Sequence, residues 1–192
     1  MLEPAKEYSP SFKFIHWLIA LLVILMLSAG FFLEDLPEQY IGSAFMVHKS
    51  IGITILFLMI FRLVWVSHKG KLPLPESVPL WEKIFSRLVQ YSFYLFLILM
   101  PLSGWIMSVA GERIPAYFGL FSMPLPWIKP DKQLAHFMEE VHGIIAWVLI
   151  GLIVLHIVGA LKHHFYDKDN VLLTMLPRRK KAKATVEMIK NS

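Results

Sequence analysis

Four stretches of this chain are apolar for long enough to cross a bilayer, at about 14–33, 47–66, 88–107 and 142–162. At ~1.5 Å of rise per residue, twenty such positions make about 30 Å of helix, the thickness of bilayer hydrocarbon. The pattern therefore predicts an all-α integral membrane protein, a four-helix bundle with little outside it. Polar interruptions are sparse. In the second stretch they are His48, Lys49, Ser50, Thr54 and Arg62, and in the fourth, from Gly143 to Leu161, His156 stands alone. Pro101 and Gly104 predict a bend in the last turns of the third. The first stretch has the length of a signal-peptide core, but no A-x-A pattern follows it and His16 sits in its start, so we read it as a retained span.

The connections differ in character. Residues 34–45 are short and acidic, 67–87 carry four basic residues and three prolines, and 110–140 are long and rich in proline and aromatics. The last of these predicts interfacial segments, with His136 in a loop as His68 is in the connection before it. We take 1–181 as one transmembrane domain and 182–192 as a basic cytoplasmic tail. Because the first connection has no Lys or Arg, the positive-inside tendency places both termini in the cytoplasm of a bacterial inner membrane.

Composition narrows the chemistry. Of 192 residues 56% are hydrophobic and only 17% charged, against about a quarter in soluble domains. The net charge of +5 is concentrated after Pro177, which suits membrane orientation and gives no reason to invoke nucleic acid. With no cysteine, disulfides, iron–sulfur clusters, thiolate zinc sites and covalent haem attachment are excluded. A haem here would be b-type.

Eight histidines remain to be placed. His142 and His156 are fourteen residues apart, about 1400° of helical turn. That puts both rings on one face, about 21 Å apart along the axis. His16 opens the first span from one side and His48 the second from the other. Depth thus sorts four histidines into two pairs, His16 with His156 and His48 with His142, drawn from three helices. A single boundary histidine is ordinarily an interfacial residue, but burying four needs an offsetting interaction. Two stacked b-haems, each held by two neutral imidazoles, supply it and leave no open iron position for oxygen. Ala20, Gly52, Gly143 and Gly159 are small enough to admit a flat macrocycle. His163 and His164, two turns beyond His156, are candidates for a quinone headgroup or proton relay, with a solvated helix end as the plainer reading. Arg62 and Lys13 are quinone or haem-propionate candidates, with snorkelling as theirs. No phosphate loop, nucleophile–base motif or catalytic carboxylate pair is present.

These residues resemble the bacterial cytochrome b561 family over nearly the whole chain. The marks are IHW at 15–17, His48 with LMIFRLV at 58–64, FGLFSMP at 118–124, His142 with His156, and HHFYDKDNVLLTMLPRR at 163–179. The resemblance implies two b-haems with the same histidine pairing. It also implies an oxidoreductase that takes electrons from superoxide outside and passes them to ubiquinone. A different class of function is a haem-bearing membrane anchor that relays electrons between a partner dehydrogenase or hydrogenase and quinone. A histidine-lined metal transporter is a third.

Overall fold

A computed structural model describes residues 8–70, 72, 73, 75, 76 and 78–176. The tail at 182–192 lies outside the described residues. Four helices dominate the fold: α1 (Pro10–Gly30), α2 (Glu38–Lys69), α3 (Leu80–Ala110) and α4 (Lys132–Phe165). A two-stranded hairpin, β1 (Ala116–Tyr117) and β2 (Phe121–Ser122), joins α3 to α4. All four helices are long and apolar enough to cross a membrane.

Two features show that the helices stand in lipid. α4 has the highest mean hydropathy, 2.7, yet only 11% of its most apolar window is buried within the protein. Ile144, Trp147, Val154 and Val158 are all more than half exposed along it. An apolar helix with so little protein cover needs hydrocarbon around it. The shared core is narrow: Ile19 and Val23 from α1, Ile55 and Met59 from α2, Leu97 from α3, and Ile145 and Leu149 from α4.

The helices reach past the apolar stretches because their ends are set by capping chemistry as well as hydropathy. Ser9 Oγ accepts from the Phe12 N–H at 3.3 Å and Pro10 takes the first helical position, where a missing N–H costs nothing. α1 thus runs from 10 to 30, earlier at both ends than the expected 14–33. Asp131 caps α4, accepting from Gln133 and Leu134 at 2.9 and 3.0 Å. α2 and α3 each start directly after a proline, Pro37 and Pro79. Two expectations are corrected by this lengthening. His68 lies in the last turn of α2 and His136 in the early turns of α4, neither of them in a loop.

α1 packs on α2, α2 on α3, and α3 most extensively on α4. One end of the bundle holds the start of α1 and the finish of α4; we call it the terminal end. The other holds the α1–α2 connection and the hairpin; we call it the hairpin end. After α4 the chain turns back through a short 3-10 turn, Leu172–Thr174. This segment is pinned to α1: Lys13 Nζ donates to the Leu176 carbonyl at 3.0 Å and Trp17 Nε1 to the Met175 carbonyl at 2.8 Å.

Candidate functional site

Toward the hairpin end, His48 of α2 and His142 of α4 face one another with ring centroids 6.4 Å apart. His48 lies ten residues into its helix and His142 likewise, so neither opens a helix. α3 supplies no histidine but it holds His142. The ring's Nδ1 lies 3.0 Å from the Met100 carbonyl and 3.0 Å from Ser103 Oγ, while the Ser103 hydroxyl donates to that same carbonyl at 2.7 Å. A carbonyl can only accept, so Nδ1 carries the hydrogen and Nε2 keeps its lone pair for a metal. Gly104 makes this approach possible, because a Cβ there would stand 3.0 Å from His142 Cε1 and 3.2 Å from Nδ1. Across the gap, His48 Nδ1 is buried without a hydrogen-bond partner among the described residues.

A partly open cavity of about 1210 Å³ surrounds this pair and opens at the hairpin end. Lys49, Arg113 and Lys132 line it together with Glu34, Glu112 and Glu139. Lys49 Nζ donates to the Arg113 carbonyl at 3.1 Å.

Toward the terminal end, His16 of α1 and His156 of α4 have ring centroids 6.2 Å apart. Phe93 of α3 sets its edge 5.5 Å from the His156 ring, and Trp17 does the same at 5.5 Å to His16. Arg62 sits close by. Its guanidinium carbon lies 5.2 Å from the Phe12 ring centroid and 5.7 Å from that of Tyr94, and its Nε is buried without a hydrogen-bond partner among the described residues. Lys13, 6% exposed, is turned to the C-terminal segment through Leu176. Between the two pairs lies the apolar core, with Met59 and Leu149 at 0% and 1% exposure.

Past His156 a polar cluster gathers where α4 ends. His163 Nδ1 is 2.7 Å from Asp169 Oδ2 and 3.3 Å from Asp167 Oδ2. His164 has Phe165 as its ring neighbour at 4.8 Å. Glu82 of α3, His163 and Asp167 are close enough to share a cation. The Lys162 ammonium already lies 2.9 Å from both Glu82 oxygens and 2.8 and 3.1 Å from those of Asp167. That cluster is an ion-pair network tying α3 to the end of α4, and nothing in it favours a transported metal.

Comparison with known proteins fits this frame. The profile of the prokaryotic cytochrome b561 family matches residues 7–178. The chain belongs to the prokaryotic cytochrome b561 family. It is 34% identical to cytochrome b561 homolog 2 of Escherichia coli (strain K12) over 164 residues, 84% of this chain and 86% of that one. Cytochrome b561 homolog 1 of the same organism is 28% identical over 91% of this chain and 99% of its own length. The probable superoxide oxidase CybB of Yersinia pestis is 31% identical over 91% of this chain and 98% of its own. As a cytochrome b561 the protein is a multi-pass membrane protein, in contact with lipid, of a family that binds haem b and transfers electrons.

The sequence reads Gly104 only as a bend and does not assign Ser103 or the Met100 carbonyl to the site. The available signal was PLSGW at 101–105, a small polar pair beside a proline inside a span, which in membranes marks close helix contact. Of the small residues singled out beforehand, Gly52 and Gly143 line the hairpin-end cavity. Gly143 and Gly159 have open space where a Cβ would go.

Proposed function

We propose that this cytochrome b561 is a diheme protein that carries electrons across the membrane from superoxide to ubiquinone. In this reading His16 and His156 would hold one haem b, and His48 and His142 the other. The spacing of the rings carries the argument. Two imidazoles bound to opposite faces of one metal, at about 2.0–2.1 Å per bond with roughly 1.1 Å from each nitrogen to its ring centre, stand about 6.2–6.4 Å apart. The two pairs measure 6.2 and 6.4 Å. The Nε2 lone pair left on His142 and the orphaned Nδ1 of His48 suit a metal-binding role. Bound there, haem b would supply one-electron chemistry.

The chain's own residues do the rest. At the hairpin-end mouth a small anion such as superoxide would meet Lys49, Arg113 and Lys132, cations that Glu34, Glu112 and Glu139 balance in number. The apolar core between the pairs keeps water out of the route. Arg62 and Lys13 lie near the terminal-end pair and suit a propionate or a quinone carbonyl. His163, held by Asp169, and His164 are the candidate proton donors to quinone at a wet boundary. Each ubiquinone takes two electrons, given up by two superoxide anions that leave as two oxygen molecules, and two protons, drawn from water at the terminal end. The basic second connection favours a cytoplasmic terminal end and a hairpin end facing outward.

The test is to supply the purified protein with superoxide and a soluble ubiquinone and follow both. We expect quinol formation with two superoxide consumed per quinone. Quinone reduction that requires a copurifying dehydrogenase or hydrogenase would replace this reading with that of a haem-bearing anchor.

A further inference from the structure

Electron transfer gives no role to the hairpin between α3 and α4. Its strands pair with Ala116 opposite Ser122 and Tyr117 opposite Phe121. The turn is made by Phe118 at φ 47° and Gly119 at φ 74°, and the Leu120 N–H donates to the Tyr117 carbonyl at 2.9 Å. Positive φ at both central positions is the type I′ arrangement, which in water favours asparagine or aspartate before the glycine. A phenylalanine in that conformation is sterically unfavourable. It is held by Ser50, 1% exposed, whose Oγ accepts from the Phe118 N–H at 2.8 Å. Something other than turn propensity accounts for a phenyl ring at this position.

Depth suggests what. Ser50 lies two residues past His48, about 3 Å further along α2 toward the terminal end. The Tyr117 hydroxyl pairs with Thr54 Oγ1, deeper still, at 3.1 Å. On the other side Trp105 Nε1 donates to the Met123 carbonyl at 2.9 Å, and Trp105 follows Gly104, which packs on His142. The hairpin therefore lies level with the His48–His142 pair. The two histidine pairs are about 21 Å apart along α4; centred in hydrocarbon of about 30 Å, each would lie roughly 4–5 Å inside the boundary. At that depth Leu120 is 78% exposed, Phe121 55% and Phe118 44%.

We propose that the hairpin is a re-entrant wedge, inserted into the leaflet on its own side, with Phe118, Leu120 and Phe121 in contact with lipid acyl chains. Non-helical backbone survives at such depth only where protein satisfies it. Ser50 and the hairpin turn satisfy the Phe118 and Leu120 N–H groups, and Trp105 donates to the Met123 carbonyl. The strand base, Ile114 to Ala116, lines the cavity beside His48 and His142. One side of this segment therefore meets the cavity and the other meets hydrocarbon, so the wedge walls the cavity off from lipid beside α2.

The chain contains no cysteine, so a single nitroxide can be placed without background. Labels on Leu120→Cys and, separately, Phe121→Cys are compared in phosphatidylethanolamine–phosphatidylglycerol vesicles. Ile144→Cys, 63% exposed on α4 two residues past His142 and so at the depth of the hairpin, is the hydrocarbon reference, and Lys129→Cys on the same connection is the aqueous one. The measurement is collision broadening by oxygen, which concentrates in hydrocarbon, relative to a water-soluble nickel chelate. Both hairpin labels are expected at the oxygen-to-nickel ratio of the Ile144 label. A ratio matching the Lys129 label at either site overturns the proposal. Haem absorbance of each labelled protein, unchanged from the parent, reports that the fold is intact.

Discussion

Replacing Gly104 with alanine tests the proposed hairpin-end haem site without touching a ligand. The new methyl would stand 3.0 Å from His142 Cε1 and 3.2 Å from Nδ1, where carbon contacts relax to about 3.5–4.0 Å. The ring must retreat by about 0.5 Å or α3 must back away. Either movement stretches the 3.0 Å contacts of Nδ1 with Met100 and Ser103 toward ~3.5 Å, where a hydrogen bond is largely gone. Overpacking costs about 1–3 kcal/mol and a weakened hydrogen bond about 0.5–1.5. Against this, alanine in a helix gains roughly 0.5–1 kcal/mol over glycine. The balance is about 1–3 kcal/mol, or roughly 5- to 150-fold in affinity at that site, in line with the ~10- to 100-fold typical of disturbed metal-supporting contacts. Haem titration of the purified variant, read by low-spin absorbance and electron paramagnetic resonance, should show one normal site and one weakened site. Gly151→Ala on α4 is the control. Its Cβ would stand in open space away from the hairpin-end cavity, and both sites should stay normal. Two unperturbed haems in Gly104→Ala would refute the argument that α3 positions His142 as a ligand.

Removing ligands outright should be selective: His142→Ala loses the haem nearer the hairpin end and His156→Ala the other. Haem stoichiometry decides it, and two low-spin haems in both variants would break the pairing. A reporter fused after Ser192 and another inserted near Gly42 should fall on opposite sides of the membrane, cytoplasm and periplasm respectively. His163→Ala should keep both haems and their reduction by superoxide, yet slow quinone reduction at least ~10-fold, about 1.4 kcal/mol of barrier. Asp169→Asn, which weakens the carboxylate contact positioning His163 at 2.7 Å, should slow quinone reduction in the same direction and leave haem reduction alone.

What could be read from the sequence follows from which interactions are local. Span number came from hydropathy, because in lipid each helix must satisfy its own backbone and be apolar outward whatever its neighbours do. The His142–His156 stripe came from helical period, a property of one element. Helix ends were harder to read, since Ser9 with Pro10 and Asp131 extend α1 and α4 into polar residues that hydropathy discards. The contacts that orient the site could not be read at all. Ser103 reaches His142 across 39 positions and Lys13 reaches Leu176 across 163. Both depend on how one helix is rotated against another, and no period in either segment encodes that. The hairpin evaded detection for another reason. Phe118-Gly119 is a poor turn signal by aqueous rules, and it makes sense only if hydrocarbon, and not water, surrounds the tip. The histidine pairs belong to both categories. Matched depth selects which rings share a level, but only the packing of α1 and α2 against the rest decides whether rings at one level come within reach of one iron. Histidines at matched depth on helices that faced apart would leave the same pattern in the sequence and bind nothing. The 6.2 and 6.4 Å separations therefore carry information that the spacing of residues does not, and the ligand proposal rests on them.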